Sequence, residues 1–265
     1  MIISSLKYKE KIDTYSELNR KIEAYWDSRS DDFSKTRRKE LEGPSAKAWS
    51  RLLQEKLPQG KKLHILDIGT GAGFFAILLG KLGHVMTGID MSGEMLHEAK
   101  LNALAYGVPA KFKKMNAQEL DFESESFDAV ISRNLTWTLP DAMVAYQEWQ
   151  RVLKPNGVLL NFDSDYGRET FSKKENQEHV HANIQQEHID TCNSIKDSVR
   201  ISDHRRPGWD TAYLQSLHME VAVEADIAPR VHNDPNMQYD DVPLFAIILP
   251  EKYFTRMIFK KYRIV

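Results

Sequence analysis

The sequence predicts an α/β fold in which helices cover both faces of a doubly wound, mostly parallel sheet. From position 63 onward, short apolar segments alternate with longer segments of helical periodicity, which is the pattern of strand–helix–strand units. Glycine also occupies three alternate positions directly after the first apolar segment, as expected where a strand turns sharply into a helix. We therefore expect about seven strands, the last of them antiparallel.

Residues 1–60 precede this alternation and are predicted to form a helical lid. Residues 16–27 carry apolar side chains at helical spacing, so one face of a first helix is apolar. The Gly-Pro pair at positions 43 and 44 interrupts the pattern, and a second helix is expected to end near position 57. The charged run 35–40, KTRRKE, predicts a solvated surface of the first helix, with contact to an anion as the alternative.

Residues 61–265 are predicted to hold the sheet, with an insertion at about 167–200. The strands are expected at 63–68, 85–89, 110–115, 127–132, 158–162, 221–225 and 244–249. The helices between them are expected at 74–82, 92–106, 141–153 and 209–217. The insertion is polar and is predicted to form one or two helices over the edge of the sheet.

The composition narrows the class of protein. The chain has 36 Lys+Arg against 38 Asp+Glu, a balance that argues against nucleic acid as the main partner. No run approaches the roughly 18 apolar residues that a membrane span needs, so we expect no membrane partner. A single cysteine, Cys192, excludes an internal disulfide and a four-cysteine zinc site, and fits a cytoplasmic location. The oligomeric state stays open.

Four histidines invite comparison with a metal site. No two of them are four residues apart as in a helical zinc site, and no HExxH motif accompanies them. The sequence therefore predicts no metal and places these histidines on a solvated helix face or against a substrate. They are His179, His181, His188 and His204.

The strongest local signal lies between the first strand and the first helix of the sheet region. Gly69, Gly71 and Gly73 leave bare backbone that a nucleotide-type ligand can approach closely. The spacing alone is ambiguous, because G-x-G-x-x-A from Gly71 to Ala76 also fits a dinucleotide. Asp67 would repel a pyrophosphate but suits a ligand with an ammonium group and a cationic centre.

Asp90 ends the second predicted strand. A carboxylate at that place can accept hydrogen bonds from both hydroxyls of a ribose, which fits a cofactor that contains adenosine. The alternative is a purely local role beside the helix cap that Ser92 offers.

Taken together, the motifs resemble those of class I S-adenosylmethionine-dependent methyltransferases. They are the glycine stretch 67–73, Asp90, the fourth-strand segment FDAV at 127–130 and the turn LKPNG at 153–157. The resemblance covers residues 63–165. It implies a Rossmann-like fold and S-adenosyl-L-methionine as the cofactor.

The resemblance also implies roles for individual residues. The glycine loop and Asp67 would hold the methionine part of the cofactor, Asp90 the ribose, and Met91 would pack on the adenine. The family often has an Asp-Ala pair where this chain has Asn116-Ala117, and the Asn oxygen would accept the adenine amino group more weakly. The implied cofactor contacts are Asp67, Gly69, Thr70, Gly71, Gly73, Asp90, Met91, Asn116, Ala117 and Gln118.

The segment 132–140 leaves the fourth strand at its carboxyl end, the edge of an open α/β sheet where ligands bind. Arg133 is predicted to pair with the carboxylate of the cofactor. Asn134 and Trp137 are predicted to meet the transferred methyl group or the acceptor. Packing under the following helix is the alternative for Trp137.

The first predicted helix also carries aromatic side chains. Tyr25, Trp26 and Phe33 would close over the cofactor as part of the lid. Ordinary packing is the alternative for aromatic residues on one helix face.

The predicted activity is methyl transfer from the sulfonium to a small-molecule acceptor. A sulfonium is a strong electrophile, so alignment of the reactants supplies much of the catalysis. Asp165, Tyr166 and His204 are the candidates for a general base, although Asp165 would equally cap the following helix. The alternatives are a non-catalytic S-adenosylmethionine-binding protein and a nicotinamide-dependent oxidoreductase.

Overall fold

The computed structural model describes the backbone of residues 2–250 and the side chains of residues 15–250. Its strands are β1 His64–Ile68, β2 Val85–Asp90, β3 Ala110–Lys114, β4 Phe127–Arg133, β5 Leu153–Ser164, β6 Ala222–Glu224 and β7 Leu244–Leu249. Its helices are α1 Ile2–Glu42, α2 Pro44–Lys56, α3 Phe74–Lys81, α4 Gly93–Ala105, α5 Ala142–Val152, α6 Gln186–Ser198, α7 Gly208–Ser216 and α8 Ala228–Val231. None of the described helices is both long and apolar enough to cross a membrane.

One sheet joins the seven strands in the order β3-β2-β1-β4-β5-β7-β6. Strands β1 to β5 are parallel, whereas β7 runs antiparallel to both β5 and β6. The predicted α/β class, the seven strands and the antiparallel end of the sheet are therefore confirmed. Strand order reverses between β1 and β4, and a crevice for a ligand forms at such a point in open α/β sheets.

The core lies on both faces of the sheet, because successive side chains of a strand point in opposite directions. Leu66 and Val130 belong to the cluster that contains Trp149. Ile65 and Ile131 belong to the cluster on the other face, which contains Trp49. Strands buried on both faces read as continuous apolar runs, which is why the sequence located them well.

Helix α1 is longer than the sequence predicts and packs on α4 and α6. Asp27 Oδ1 accepts a hydrogen bond of 2.6 Å from Ser92 Oγ and one of 3.2 Å from the N–H of Glu94. Ser92 in turn caps α4 by accepting from the N–H of Met95. A side chain of α1 thus contributes to the N-terminal cap of α4, and this fixes α1 beside the carboxyl edge of the sheet.

The insertion forms one helix, α6, whereas residues 169–176 have no regular structure. The residues 169–176 are polar and lack the apolar periodicity that would seat a helix on the core. They instead cross the mouth of the crevice, where Phe171 and Lys174 line a cavity.

A buried ion-pair network joins the end of β5 to α7. The guanidinium of Arg206 lies 2.9 Å from Asp163 Oδ2 and 2.8 Å from Asp210 Oδ1, and the three side chains are at most 1% exposed. Asp163 also accepts hydrogen bonds from the hydroxyl of Thr136 and the N–H of Trp137. The network therefore fixes the turn that follows β4.

Candidate active site

A large cavity opens at the carboxyl ends of the parallel strands. Its volume is about 1880 Å³, including the part that is open to solvent. One part of its wall comes from the loops after β1, β2, β3 and β4, and the rest from α1, the insertion and residues 232–244. The crevice predicted from the strand order is therefore closed over by segments outside the parallel sheet.

The glycine loop forms the floor of this cavity. Gly69, Gly71 and Gly73 all have a positive φ, of 66°, 51° and 87°, which a side chain would strain. A Cβ at Gly71 would lie 3.0 Å from the ring of Phe33, so the lid residue covers the bare backbone directly. Gly73 lies outside the cavity wall, where a Cβ would meet Ala99 of α4 at 3.3 Å. The structure thus gives Gly73 a packing role between α3 and α4.

Asp67 is buried at the end of β1. Its Oδ2 accepts a hydrogen bond of 2.6 Å from the hydroxyl of Thr70 and one of 3.2 Å from the N–H of Ala76. Burial nevertheless raises the pKa of Asp67 to about 7, since these bonds offset only part of the lost hydration. A cationic ligand beside this carboxylate would restore its preference for the charged form.

Asp90 joins two loops of the site. Its Oδ2 accepts from the N–H of Gly71 at 2.9 Å, and its Oδ1 accepts from the N–H of Ser92 at 3.0 Å. Burial raises the pKa of Asp90 to about 6 despite these bonds. Each carboxylate oxygen has lone pairs beyond the one used here, so Asp90 can still accept from ribose hydroxyls.

The predicted adenine contacts divide into two groups. Met91, Asn116 and Ala117 line the cavity. Gln118 does not line it, because its Oε1 accepts from the N–H of Asp141 at 2.8 Å and so fixes the start of α5. The Oδ1 of Asn116 accepts from the N–H of Gln118 at 3.0 Å, which leaves one lone pair for a ligand.

Arg133 lines the cavity and already has a partner that the sequence did not reveal. Its guanidinium forms a two-point ion pair with Glu40 of α1, with bonds of 2.7 and 3.1 Å. Arg37 lies 2.6 Å from the same carboxylate, and the hydroxyl of Tyr239 donates to it at 2.8 Å. Arg37 is 7% exposed and Glu40 is fully buried, so the prediction of a solvated surface at 35–40 is wrong for these two residues.

This cluster carries one positive charge in excess. Burial alone would raise the pKa of Glu40, but Arg133 and Arg37 outweigh it and hold the pKa at about 2. Glu40 is therefore ionised and neutralises one of the two guanidinium groups. The Nε atoms of Arg37 and Arg133 are buried without a hydrogen-bond partner. A buried cation of this kind is costly unless an anion joins it.

The aromatic side chains predicted to meet the acceptor or form the lid do line the cavity. Trp137 contacts the rings of Tyr166 and Phe171 at centroid distances of 5.2 and 5.4 Å. The indole N–H of Trp137 donates to the carbonyl oxygen of Asn134 at 3.0 Å. Asn134 itself has a positive φ of 53°, and its Oδ1 is buried without a partner.

Three aromatic residues of α1 form the wall above the glycine loop. Tyr25 and Trp26 contact each other at a centroid distance of 5.0 Å, and Trp26 contacts Phe33 at 5.7 Å. All three line the cavity. The three rings thus form one contiguous aromatic surface, and their role as a lid stays a prediction.

The three candidates for a general base are not brought together. Tyr166 lines the cavity, but burial raises the pKa of its phenol, so it stays protonated. Asp165 and His204 lie outside the cavity wall, and His204 stacks on Trp209 at 4.8 Å. The cavity instead presents His181, which the sequence placed on a solvated helix face or against a substrate but did not single out as a general base.

Comparison with known proteins gives a consistent picture of the sheet region. Residues 66–161 match the family model of a methyltransferase domain. The chain is 37% identical over 99 residues to a ubiquinone biosynthesis O-methyltransferase of Colwellia psychrerythraea, a match covering 37% of this chain and 40% of the relative. It is 32% identical over 106 residues to the protein of the same name from Haemophilus ducreyi, covering 38% and 44%. The chain thus spans about two fifths of the length of these curated relatives.

The solved structures show the same fold. A SAM-dependent methyltransferase from Aquifex aeolicus superposes with a TM-score of 0.53 at 16% identity, over 79% of this chain and 91% of that one. The family match covers the strands that carry the glycine loop and Asp90. The strand order of the sheet is that of the doubly wound fold that the sequence motifs imply. Residues 66–161 therefore match a methyltransferase domain, and the sheet has the fold of a SAM-dependent methyltransferase.

Proposed function

We propose that the protein transfers the methyl group of S-adenosylmethionine to a small-molecule acceptor. The observation that carries this proposal is the pair of carboxyl groups, buried Asp67 and half-buried Asp90, on either side of the bare glycine loop. Their raised pKa values report lost hydration that a ligand with cationic and hydroxyl groups would compensate.

The charges around the cavity fit the cofactor as a zwitterion. Asp67 would face its cationic groups, and Asp90 would accept from the ribose hydroxyls. The excess positive charge of Arg37 and Arg133 over Glu40 would receive the carboxylate. This assignment keeps the role predicted for Arg133 and adds Arg37 beside it.

The cofactor supplies an electrophilic methyl group when it is bound. The protein's own contribution would be alignment and exclusion of water. Phe33 and Trp26 would cover the reacting groups from α1, and Trp137 would form the opposite aromatic surface. Residues 1–60 would thus act as the lid of a methyltransferase domain at 61–265, with the insertion at about 167–200 enclosing the acceptor.

The acceptor is proposed to be small because the cavity is walled on several sides by α1, the insertion and residues 232–244. A cytoplasmic location also belongs to the proposal. Its support is the buried free thiol of Cys192, which agrees with a reducing compartment.

Calorimetry with S-adenosylhomocysteine and with NADH tests the cofactor assignment. We expect the first to bind and NADH not to bind. Asp90→Ala should weaken the binding of S-adenosylhomocysteine by about 1–3 kcal/mol, the usual cost of losing a charged hydrogen-bond partner. The matched control is Asp121→Ala, which removes an exposed carboxylate outside the cavity and should leave the affinity unchanged.

Binding of NADH alone would instead indicate an oxidoreductase. Binding of S-adenosylhomocysteine with equal affinity in Asp90→Ala and wild type would remove Asp90 from the site. A protein that binds S-adenosylmethionine tightly but methylates no acceptor would be a non-catalytic binding protein.

A further inference from the structure

Polar side chains from outside residues 66–161 face the same cavity. His181 and Lys174 come from the insertion, and Asp240 comes from the segment before β7. The glycine loop and the cluster around Glu40 account for the cofactor, and these three residues belong to neither.

We propose that His181, oriented by Asp240, accepts the proton of a hydroxyl on the methyl acceptor. The acceptor would then be a small molecule with an acidic hydroxyl, a phenol or an enol, on a flat apolar body. This inference rests on the methyl transfer proposed above and assigns the part of the cavity that receives the acceptor.

The geometry of the pair supports this role. His181 Nε2 lies 3.5 Å from Asp240 Oδ2, while His181 Nδ1 is buried without a hydrogen-bond partner. A carboxylate near one ring nitrogen favours a proton there, which leaves the lone pair on the other nitrogen. An unpartnered buried acceptor is costly, and a ligand hydroxyl that donates to Nδ1 would remove that cost.

Further contacts hold the pair in place. Asp240 Oδ1 lies 3.1 Å from Lys174 Nζ and 3.5 Å from His179 Nε2. The backbone N–H of His181 donates to His179 Nδ1 at 3.1 Å. The two chain segments are also joined by a backbone hydrogen bond of 2.9 Å from Val180 to Gln238. No group of three His, Cys, Asp or Glu side chains in the described part of the chain is arranged to hold a metal ion.

The imidazole of His181 is neutral near pH 7. Burial lowers its pKa to about 4, and Asp240 opposes this effect. Arg29, His179 and Arg37 lower the pKa further. A neutral imidazole can accept a hydrogen bond at rest, and Asp240 would stabilise the imidazolium that forms when the proton arrives.

The surrounding rings fit a flat apolar body. Trp137, Tyr166 and Phe171 contact one another at centroid distances of 5.2 to 5.5 Å. Ile184 and Ile189 also line the cavity. Their surface would pack an aromatic or otherwise planar molecule, while the hydroxyl makes the polar contact.

The proposed step moves one methyl group and one proton. The acceptor oxygen forms a bond to the methyl carbon, and the carbon–sulfur bond breaks with its electron pair passing to sulfur. The hydroxyl proton passes to His181 Nδ1. The products are the methyl ether, the neutral thioether and an imidazolium beside Asp240, which later loses its proton to water.

His232 also lines the cavity with a ring nitrogen that has no hydrogen-bond partner, but it is less suited to accept the proton. His232 stacks on Tyr239 at 3.7 Å, and its Nε2 is buried without a partner. Burial and Arg133 lower its pKa to about 3. Glu40, the carboxylate in that cluster, is already shared by two arginines and so would stabilise an imidazolium at His232 only weakly.

The test compares naphthol with its methyl ether as probes. Each is titrated by calorimetry into the full-length protein saturated with S-adenosylhomocysteine. We expect naphthol to bind about tenfold more tightly, the size of one net hydrogen bond. His181→Phe should abolish this preference, whereas His181→Gln should keep it because the amide oxygen still accepts. His188→Phe and His188→Gln are the controls, because His188 lies in the same insertion but outside the cavity wall.

A turnover measurement distinguishes a side chain at position 181 that only accepts a hydrogen bond from one that also takes up the proton. With S-adenosylmethionine, His181→Gln should methylate naphthol at least about 100-fold more slowly than wild type, since an amide takes no proton. Equal or undetectable binding of both probes by wild type, or equal turnover by wild type and His181→Gln, would overturn the inference. Failure of S-adenosylhomocysteine itself to bind would overturn the proposed function instead.

Discussion

Asp67 is the residue whose protonation should report on the cofactor. Its pKa is raised to about 7 by burial, so a cationic ligand must bind the form that has lost its proton. We expect the affinity for S-adenosylmethionine to rise as the pH rises from about 5 to about 8, by at most about tenfold per pH unit for one released proton. Calorimetry in buffers of different ionisation enthalpy would measure the released proton directly.

The control for this prediction is Asp67→Asn, which should bind weakly at every pH and lose the slope. An unchanged slope in that variant would contradict the assignment. In the ligand-free protein the sign is reversed. The protonated carboxyl groups of Asp67 and Asp90 contribute fully to the free energy of unfolding below their unfolded pKa near 3.8. This contribution is lost as the pH rises through the folded pKa, which is about 7 for Asp67 and about 6 for Asp90.

Residue types were enough to propose the cofactor half of the site, because the spacing of its residues is local. The structure brings Asp67, Gly71 and Asp90 to one cavity, and their contacts with the cofactor stay a prediction. Asp67 and Gly71 are four residues apart, and Asp90 ends the next strand. Arg37 and Glu40 were missed because a charged stretch at helical spacing does not say which side of the helix is solvated. Only the aromatic face of α1 docked against the cavity turns these charges inward.

At the scale of elements, Asp27 should contribute to the attachment of α1 to α4, beside the hydrogen bond that Asn102 donates to Ser34. Asp27→Ala removes the acceptor for Ser92 Oγ and the N–H of Glu94. We expect the free energy of unfolding to fall by about 0.5–2 kcal/mol, the cost of losing a cap. Hydrogen exchange should also quicken at the first turn of α4.

Asp31→Ala is the matched control one turn further along α1. Asp31 pairs only with the exposed Lys35, so its removal should cost less than about 1 kcal/mol. If the amide hydrogens of α4 exchange at the wild-type rate in both variants, the hydrogen bonds of Asp27 at the start of α4 do not hold α1 in place.

Elements with strong periodicity were predicted correctly, and those that depend on distant contacts were not. The parallel strands lie within two residues of their predicted bounds, except that β5 begins five residues earlier through a bulge opposite β4. Residues 169–176 follow the cavity wall because Asn193 of α6 exchanges two hydrogen bonds with the backbone of Phe171. Such a contact across 22 positions leaves no local trace in the sequence.

At the scale of the whole molecule, Arg206 should be a main contributor to stability. Arg206→Met would leave Asp163 and Asp210 as buried carboxylates without a cation. We expect the free energy of unfolding to fall by about 3–5 kcal/mol, as is usual when one partner of a buried pair is removed. Chemical denaturation would measure this loss.

Arg205→Met changes the neighbouring, exposed arginine and should stay within about 0.5 kcal/mol of wild type. Equal stability of the two variants would show that the buried network is dispensable. The sequence did not reveal this ion pair, because Arg206 lies 43 positions beyond Asp163 along the chain.

The walls of the cavity have separate origins along the chain. The part proposed to hold the nucleoside comes from residues 66–161, and the part proposed to hold the acceptor comes largely from α1, the insertion and residues 232–244. Evolution could therefore change the acceptor with little effect on the nucleoside, provided that Arg37 and Phe33 of α1 keep their proposed places beside the cofactor. Grafting those outer segments onto a distant member of the family should transfer substrate preference along with them.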